Sequence, residues 1–341
     1  MKNKTILITG GAGFIGSNFI HHLINKYDDI QIIVLDALTY AGSLENLPKT
    51  PNVQFVYGNV QNADLVDSLM QQSNIVVHFA AESHVTRSIF DNKVFFETDV
   101  LGTQVVANSV LRYKNDIDLF IHVSTSEVYG TAESKLMPEE HPLKPMSPYA
   151  AAKCGADRLV YSYWETYNIP AVIVRPFNNY GPRQHLEKLI PRFITSCLME
   201  EPLTVHGKGG ASRDFMYVED HCVALEKILI HRDQEDLYGE VFNIGSSIHR
   251  SVNEIASTII KSSGAKNSPL KYIEDRPGQV TRHSCDWSKI KRILGWEPKV
   301  SFEEGISKTI SWYDQNREWW EKQKWMRHIP IITSEGKKSL H

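Results

Sequence analysis

The sequence predicts a doubly wound α/β fold, a parallel sheet covered by helices on both faces, followed by a smaller α+β lobe. Three observations carry that expectation. Short β-branched runs alternate with amphipathic stretches through the first half of the chain, the pattern of repeated βαβ units. Those runs are apolar on both faces, as strands buried in a parallel sheet are. Glycines cluster where the first run meets the first helical stretch, at the end of the strand where such sheets open into a crevice.

TILIT opens the chain and leads into a helix around Ser17 to Lys26. QIIVLD, VQFVYG, NIVVHFAA and DLFIHVS follow as further strands, and AVIVRP closes the series after another helix. Past about Asn179 the alternation loosens. EPLTVHG, SRDFMYVED, GEVFNIGSS and PLKYIED are interspersed with helical segments such as Ser251 to Ser262 and Trp287 to Leu294. The expected division is residues 1–178 for the doubly wound domain and 179–330 for the second lobe, with a segment near 240–245 returning to the main sheet. Residues 331–341 are polar enough to form a loosely held tail.

A net charge of −3 lacks the basic excess that nucleic-acid binding demands, so no nucleic-acid partner is expected. The first apolar run meets glycine after five residues, too soon for a signal-peptide core or a membrane span. A cytoplasmic protein is expected. Four cysteines without CxxC spacing and 14 histidines without an HExxH pattern suggest neither a disulfide framework nor a metal site.

TILITGGAGFIGSNF places Gly10, Gly13 and Gly16 between a strand and a helix that opens with Phe14 and Ile15. Glycines there permit a tight turn and a close backbone approach, so the helix N-terminus can hold a pyrophosphate. The next strand ends in Asp36, twenty positions beyond Gly16, where a carboxylate accepts hydrogen bonds from a ribose 2′-hydroxyl and repels a 2′-phosphate. This is the Rossmann arrangement, and the expected cofactor is NAD.

SPYAAAKCGADRLVYSYW is helical after Pro148 and sets Tyr149 and Lys153 four apart on one face. A phenol titrates near pH ~10, too high for a base at neutrality, unless nearby positive charge favours the phenolate. A strand ending in STSEVYG brings Thr125, Ser126 and Glu127 to the same crevice.

With these motifs in hand the chain resembles the extended short-chain dehydrogenase/reductases, and among them the nucleotide-sugar 4,6-dehydratases of the dTDP-glucose type. DALTYAG, AAESHVTRSI, NNYGPRQHLEKLIP, SRDFMYVEDH, VFNIG and DRPGQVTRH occur in the order found in that group. The resemblance implies a nucleoside-diphosphate sugar as substrate, NAD reduced and reoxidised within one turnover, and a homodimer joined through helices of the first lobe. It implies that Thr125 bonds the sugar 4-hydroxyl, Tyr149 takes its proton, Lys153 holds the nicotinamide ribose and Tyr149, and Glu127 removes the C5 proton. It adds Asn59, Val60 and Ala80 to the cofactor contacts. Its substrate contacts are Ser83, His84, Thr86, Asn178, Glu187, Lys188, Arg213, Asn243, Arg282 and His283.

Four positions depart from the pattern. Ser126 stands where the dTDP-glucose group has the aspartate that protonates the departing C6 hydroxyl, and Thr86 and Asn59 also stand in place of aspartates. His283 replaces a tyrosine. Relatives with serine at position 126 include both GDP-mannose 4,6-dehydratases and UDP-glucuronate decarboxylases. Dehydration is therefore the leading expectation and decarboxylation the alternative, with 4-epimerisation and a non-catalytic NAD-binding role behind them.

Overall fold

The computed structural model describes residues 1–265, 267–274, 282–327, 330–332 and 338–340. Most of DRPGQVTRH (residues 275–281) and part of the expected tail (333–337 and 341) lie outside the described residues. The strands are Thr5–Thr9 (β1), Gln31–Asp36 (β2), Val53–Tyr57 (β3), Ile75–His78 (β4), Leu119–Val123 (β5), Ala171–Pro176 (β6) and Asn178–Tyr180 (β7). They continue with Leu203–His206 (β8), Ser212–Tyr217 (β9), Val241–Ile244 (β10), His249–Ser251 (β11), Leu270–Ile273 (β12), Pro330–Ile332 (β13) and Lys338–Leu340 (β14). A seven-stranded sheet runs β10-β6-β5-β4-β1-β2-β3, every pair parallel. Small sheets β11-β9-β7 and β12-β8 follow, and β13 pairs antiparallel with β14 where a loose tail was expected.

Alternation along each strand feeds two cores. Ile6, Ile8, Ile32, Val34, Ile75 and Val77 point to one face of the large sheet, while Leu7, Ile33, Leu35 and Val76 point to the other. Both faces are covered, which is why these strands read as continuous apolar runs. A third core, with Phe193, Ile255, Ile306 and Trp320, serves the second lobe. Among the described residues no helix is long and apolar enough to cross a membrane.

The helix Pro148–Tyr167 positions the chemistry, and its ends are set by sequence. Ser147 caps it by accepting the Ala150 N–H at 3.1 Å, Pro148 supplies the fixed φ of a first turn, and Asn168 ends it in the left-handed conformation. Tyr149, Lys153 and Asp157 recur every fourth residue and form one inward stripe, all three buried. Asp157 is held on both oxygens by Arg175 of β6, Nε to Oδ2 at 2.9 Å and Nη2 to Oδ1 at 2.9 Å. Arg175 Nη1 reaches the Tyr129 hydroxyl at 2.9 Å, and that hydroxyl donates to Asn243 Oδ1 at 2.8 Å. Burial alone would raise the Asp157 carboxyl, but the Arg175 hydrogen bonds and charge, with Arg158, overturn this and hold it below the usual carboxylate range.

Asp157→Asn leaves the Arg175 charge buried without its partner and should destabilise the fold by roughly 3–5 kcal/mol, read from denaturant unfolding. Because the Asp157 carboxyl is depressed in the folded state, its stabilisation is present above the unfolded value near ~3.9 and is lost as pH falls toward the folded value. Wild-type stability should therefore fall more steeply than that of the Asn variant in acid below pH ~4.

Candidate active site

The C-terminal ends of β1, β2, β4, β5 and β6 open into a single cleft of about 510 Å³ that runs on to the second lobe. One end is built for backbone approach. Gly10 has φ +69°, and a Cβ there would lie 2.5 Å from the Ala80 nitrogen; at Gly16 it would lie 2.7 Å from the Gly10 carbonyl oxygen. The helix Phe14–Ile24 starts at Gly13 with no side-chain cap and no acidic residue in its first turn, which leaves its N–H groups to face an anion. Asp36 is aimed by two backbone donors, Ala12 N–H to Oδ2 at 2.9 Å and Leu38 N–H to Oδ1 at 2.8 Å. Burial raises its carboxyl and these two N–H groups oppose the rise. Asn59, Val60 and Ala80 line the same end. The glycine turn, bare helix terminus and oriented carboxylate fit a dinucleotide.

At the other end Thr125, 9% exposed, caps the short helical turn Ser126–Tyr129 by accepting the Glu127 N–H at 3.2 Å. Its hydroxyl also bonds the Tyr149 phenol, whose ring packs edge-on against Phe95. Burial pushes the phenol well above its ordinary value, the Asp99 and Glu127 charges add to this, and the Thr125 bond opposes it. Lys153 Nζ donates to the Val123 carbonyl at 2.8 Å. Burial lowers its ammonium, while the Asp99 and Asp157 carboxylates favour the charged form. Glu127 lines the cleft beside them.

The second lobe and the loop after β4 complete the wall. Ser83, His84, Thr86, Asn178, Glu187, Lys188 and Arg213 all line it. Lys188 Nζ bonds the Ser83 carbonyl at 2.8 Å and ties the lobe to that loop. The buried Glu187 carboxylate sits 3.3 Å from Arg87 Nε, 3.7 Å from Lys188 Nζ and 3.8 Å from His84 Nε2. Its Oε1 accepts no hydrogen bond and is compensated by charge alone, with Lys188 Nζ at 3.7 Å and His185 Nδ1 at 3.9 Å.

Four expected contacts do not line the cleft. Asn243 lies in β10 beside Arg175 in register, and its amide is taken up by Tyr129 and by the Met137 carbonyl at 2.9 Å. Arg282 is engaged outside the cleft, donating to the Ser134 carbonyl at 2.6 Å. Ser126 and His283 are both 1% exposed and lie behind the wall, Oγ to Nδ1 at 3.5 Å. Conversely, sequence reasoning passed over Asp99, which accepts the Glu82 N–H at 2.8 Å and whose charge bears on Lys153. Asp99 sits in a π-helical stretch, Phe96–Gly102, which leaves no periodic signature in FFETDVLG. Tyr40, stacked under Arg87 at 4.1 Å, and Arg192 were likewise missed.

The family described as GDP-mannose 4,6 dehydratase matches residues 7–309 of this chain. The chain belongs to the nucleotide-sugar 4,6-dehydratase family, a group of extended short-chain dehydrogenase/reductases. It is 45% identical to the low-salt glycan biosynthesis protein Agl12 of Haloferax volcanii, over 90% of this chain and 98% of that one. It is 41% identical to dTDP-glucose 4,6-dehydratase of Streptomyces antibioticus, over 94% of this chain and 95% of that one. Among solved structures, DesIV, the dTDP-glucose 4,6-dehydratase of Streptomyces venezuelae with NAD bound, matches with a TM-score of 0.88 at 41% identity, covering 93% of this chain and 99% of that one. In this 4,6-dehydratase fold the Gly10 turn leaves no room for a side chain. Gly10→Ala should therefore lower the melting temperature and abolish the stabilisation that added dinucleotide gives the wild type, both read in one thermal-shift series.

Proposed function

We propose that the protein is an NAD-dependent nucleotide-sugar 4,6-dehydratase whose substrate is a nucleoside-diphosphate hexose of the dTDP-glucose kind. The observation that carries this reading is that a phenol and a carboxylate, Tyr149 and Glu127, line one cleft whose far end fits a dinucleotide. Residues 1–178 hold the cofactor, and 179–330 mainly hold the nucleotide-sugar through Glu187, Lys188 and Arg213. Arginine suits a diphosphate because its planar fork bonds oxygens in pairs. The carboxylate at Asp36 favours NAD over NADP.

When bound, NAD would supply the hydride acceptor for C4, the same hydride for C6, and a positive charge beside the phenol. Thr125 orients the 4-hydroxyl and Tyr149 accepts its proton, with the Lys153 ammonium favouring the phenolate. The C4 ketone acidifies the C5 proton, and Glu127 removes it. Ser126 does not line the cleft and Glu127 does, so Glu127 is assigned to return the proton to the departing C6 hydroxyl as well. C5 loses a proton and C6 loses hydroxide, which leave as water; the hydride that C6 then gains is matched by a proton from solvent at C5, and Tyr149 releases the 4-hydroxyl proton to solvent.

Decarboxylation of a nucleotide glucuronate remains the second reading, because it needs no acid at C6 and Ser126 offers none. Arg282, the cation that would have met a substrate carboxylate, is instead occupied by Ser134 outside the cleft. Incubation with dTDP-glucose, UDP-glucose, UDP-N-acetylglucosamine and UDP-glucuronate, followed by mass spectrometry, should show loss of one water from a hexose. Loss of carbon dioxide from the glucuronate, with every hexose untouched, would replace the first reading by the second. Tyr149→Phe should lower turnover about 10²–10⁴-fold. Glu127→Gln should still reduce the cofactor, seen by absorbance, yet release no dehydrated sugar.

A homodimer completes the proposal. Val94, Phe96, Leu101 and Tyr167 are exposed on the helical layer where Phe96–Gly102 packs against Pro148–Tyr167. Light scattering should give twice the chain mass, and Leu101→Asp should shift the protein to monomer.

A further inference from the structure

Two positions at which the chain departs from the pattern it resembles, Ser126 and His283, are neighbours in space, although 157 residues separate them in sequence. His283 is buried, clamped edge-on by Phe177 and fixed by a hydrogen bond from Nε2 to the Gly130 carbonyl at 2.6 Å. A carbonyl can only accept, so Nε2 carries the proton and the neutral ring turns the Nδ1 lone pair inward. Gly130 can present that carbonyl because its φ is +72°; a side chain there would collide with the Lys144 carbonyl. Nδ1 then faces two groups, Ser126 Oγ at 3.5 Å and Glu127 Oε1 at 3.9 Å.

We propose that His283 is the proton partner of Glu127: when Glu127 takes the C5 proton, its carboxyl swings against His283 Nδ1 and shares the proton there until the C6 hydroxyl leaves. This rests on the dehydratase reading. His283 does not touch substrate; it is a positioning residue that acts through Glu127, and Ser126 donates to the same nitrogen in the resting state. The C5–H bond breaks with its electron pair delocalised onto the C4 ketone as an enolate, and the proton lodges between Glu127 and His283. The C6–O bond then breaks with its pair on oxygen, the enolate pair becomes the C5=C6 bond, and the stored proton joins the oxygen as water. The pair ends as it began, a carboxylate beside a neutral imidazole. Closing the 3.9 Å gap needs a movement of about 1 Å by a side chain at the cleft surface, within the tightening expected when substrate binds.

The arrangement predicts a pH dependence. Burial lowers the His283 imidazole from its ordinary value; Glu127 opposes this, and Arg213 and His141 assist it. Among the described residues, Glu127, Arg213 and His141 are the groups whose charge bears on it. In acid the ring protonates, pairs with the Glu127 carboxylate and ceases to be an acceptor, so dehydration should rise as pH rises through a value below ~6.5.

The test uses dTDP-glucose as probe with His283→Gln and His283→Tyr, each checked for folding by its melting curve. Stopped-flow absorbance reports cofactor reduction, which reads C4 oxidation alone, and mass spectrometry reports loss of water. The expected result is C4 oxidation within about threefold of wild type, dehydration reduced by about 10²-fold in both variants, and an acid limb of the kcat profile displaced from its wild-type position. Folded variants that dehydrate at the wild-type rate, or whose acid limb lies where that of the wild type does, would overturn the proposal. So would an equal loss of oxidation and dehydration, which marks general damage to the cleft. Wild-type protein that dehydrates no hexose would instead remove the dehydratase reading itself, a separate outcome visible before any variant is made.

Discussion

The buried ion pair between Asp157 and Arg175 is the constraint on which the site depends. Asp157 belongs to the helix that carries Tyr149 and Lys153; Arg175 belongs to β6 and reaches Tyr129, the last residue of the turn that carries Glu127. One guanidinium thus fixes Tyr149 and Lys153 relative to the turn that carries Glu127. A lysine could not replace it, since only a planar fork can bond both carboxylate oxygens and still reach a third acceptor. Buried pairs are costly to desolvate, and here each oxygen and most donors are satisfied, the condition under which such a pair holds a unique geometry.

The electrostatics above that pair divide the labour. The protein alone holds Tyr149 as a phenol, because burial and two nearby carboxylates disfavour its anion. Lys153 is buried too, which lowers its ammonium, and the Asp99 and Asp157 carboxylates oppose that fall. At the end away from the dinucleotide turn, Ser126 and His283 contact each other behind the wall, while Glu127 lines the cleft. Tyr149, Lys153 and His283 are buried, so small changes in charge beside them weigh heavily.

The doubly wound sheet was legible because strands buried on both faces must be continuously apolar, and the glycine turn because no side chain fits there. The motifs at Thr125, Tyr149 and Lys153 are local, and a strand end or a helix face delivers them to the cleft directly. What the sequence hid is long-range. The return of residues 240–245 to the main sheet was legible, but that Asn243 would there be spent on Tyr129, that Arg282 would turn to Ser134, and that Ser126 would meet His283 all follow from contacts between chain segments more than a hundred residues apart. Asp99 stayed hidden for a different reason: a π-turn shifts the register that a helical period would have shown.

The central claim, that the fold holds Tyr149 and Glu127 over neighbouring carbons of one sugar ring, is tested most directly by a crystal structure with NAD and an intact nucleotide hexose. The account predicts the Tyr149 hydroxyl at about 2.6–3.2 Å from the C4 oxygen and a Glu127 oxygen about 3–3.5 Å from C5 in the same complex. A sugar seated with C5 against some other group, or with Glu127 out of reach of it, would contradict the account.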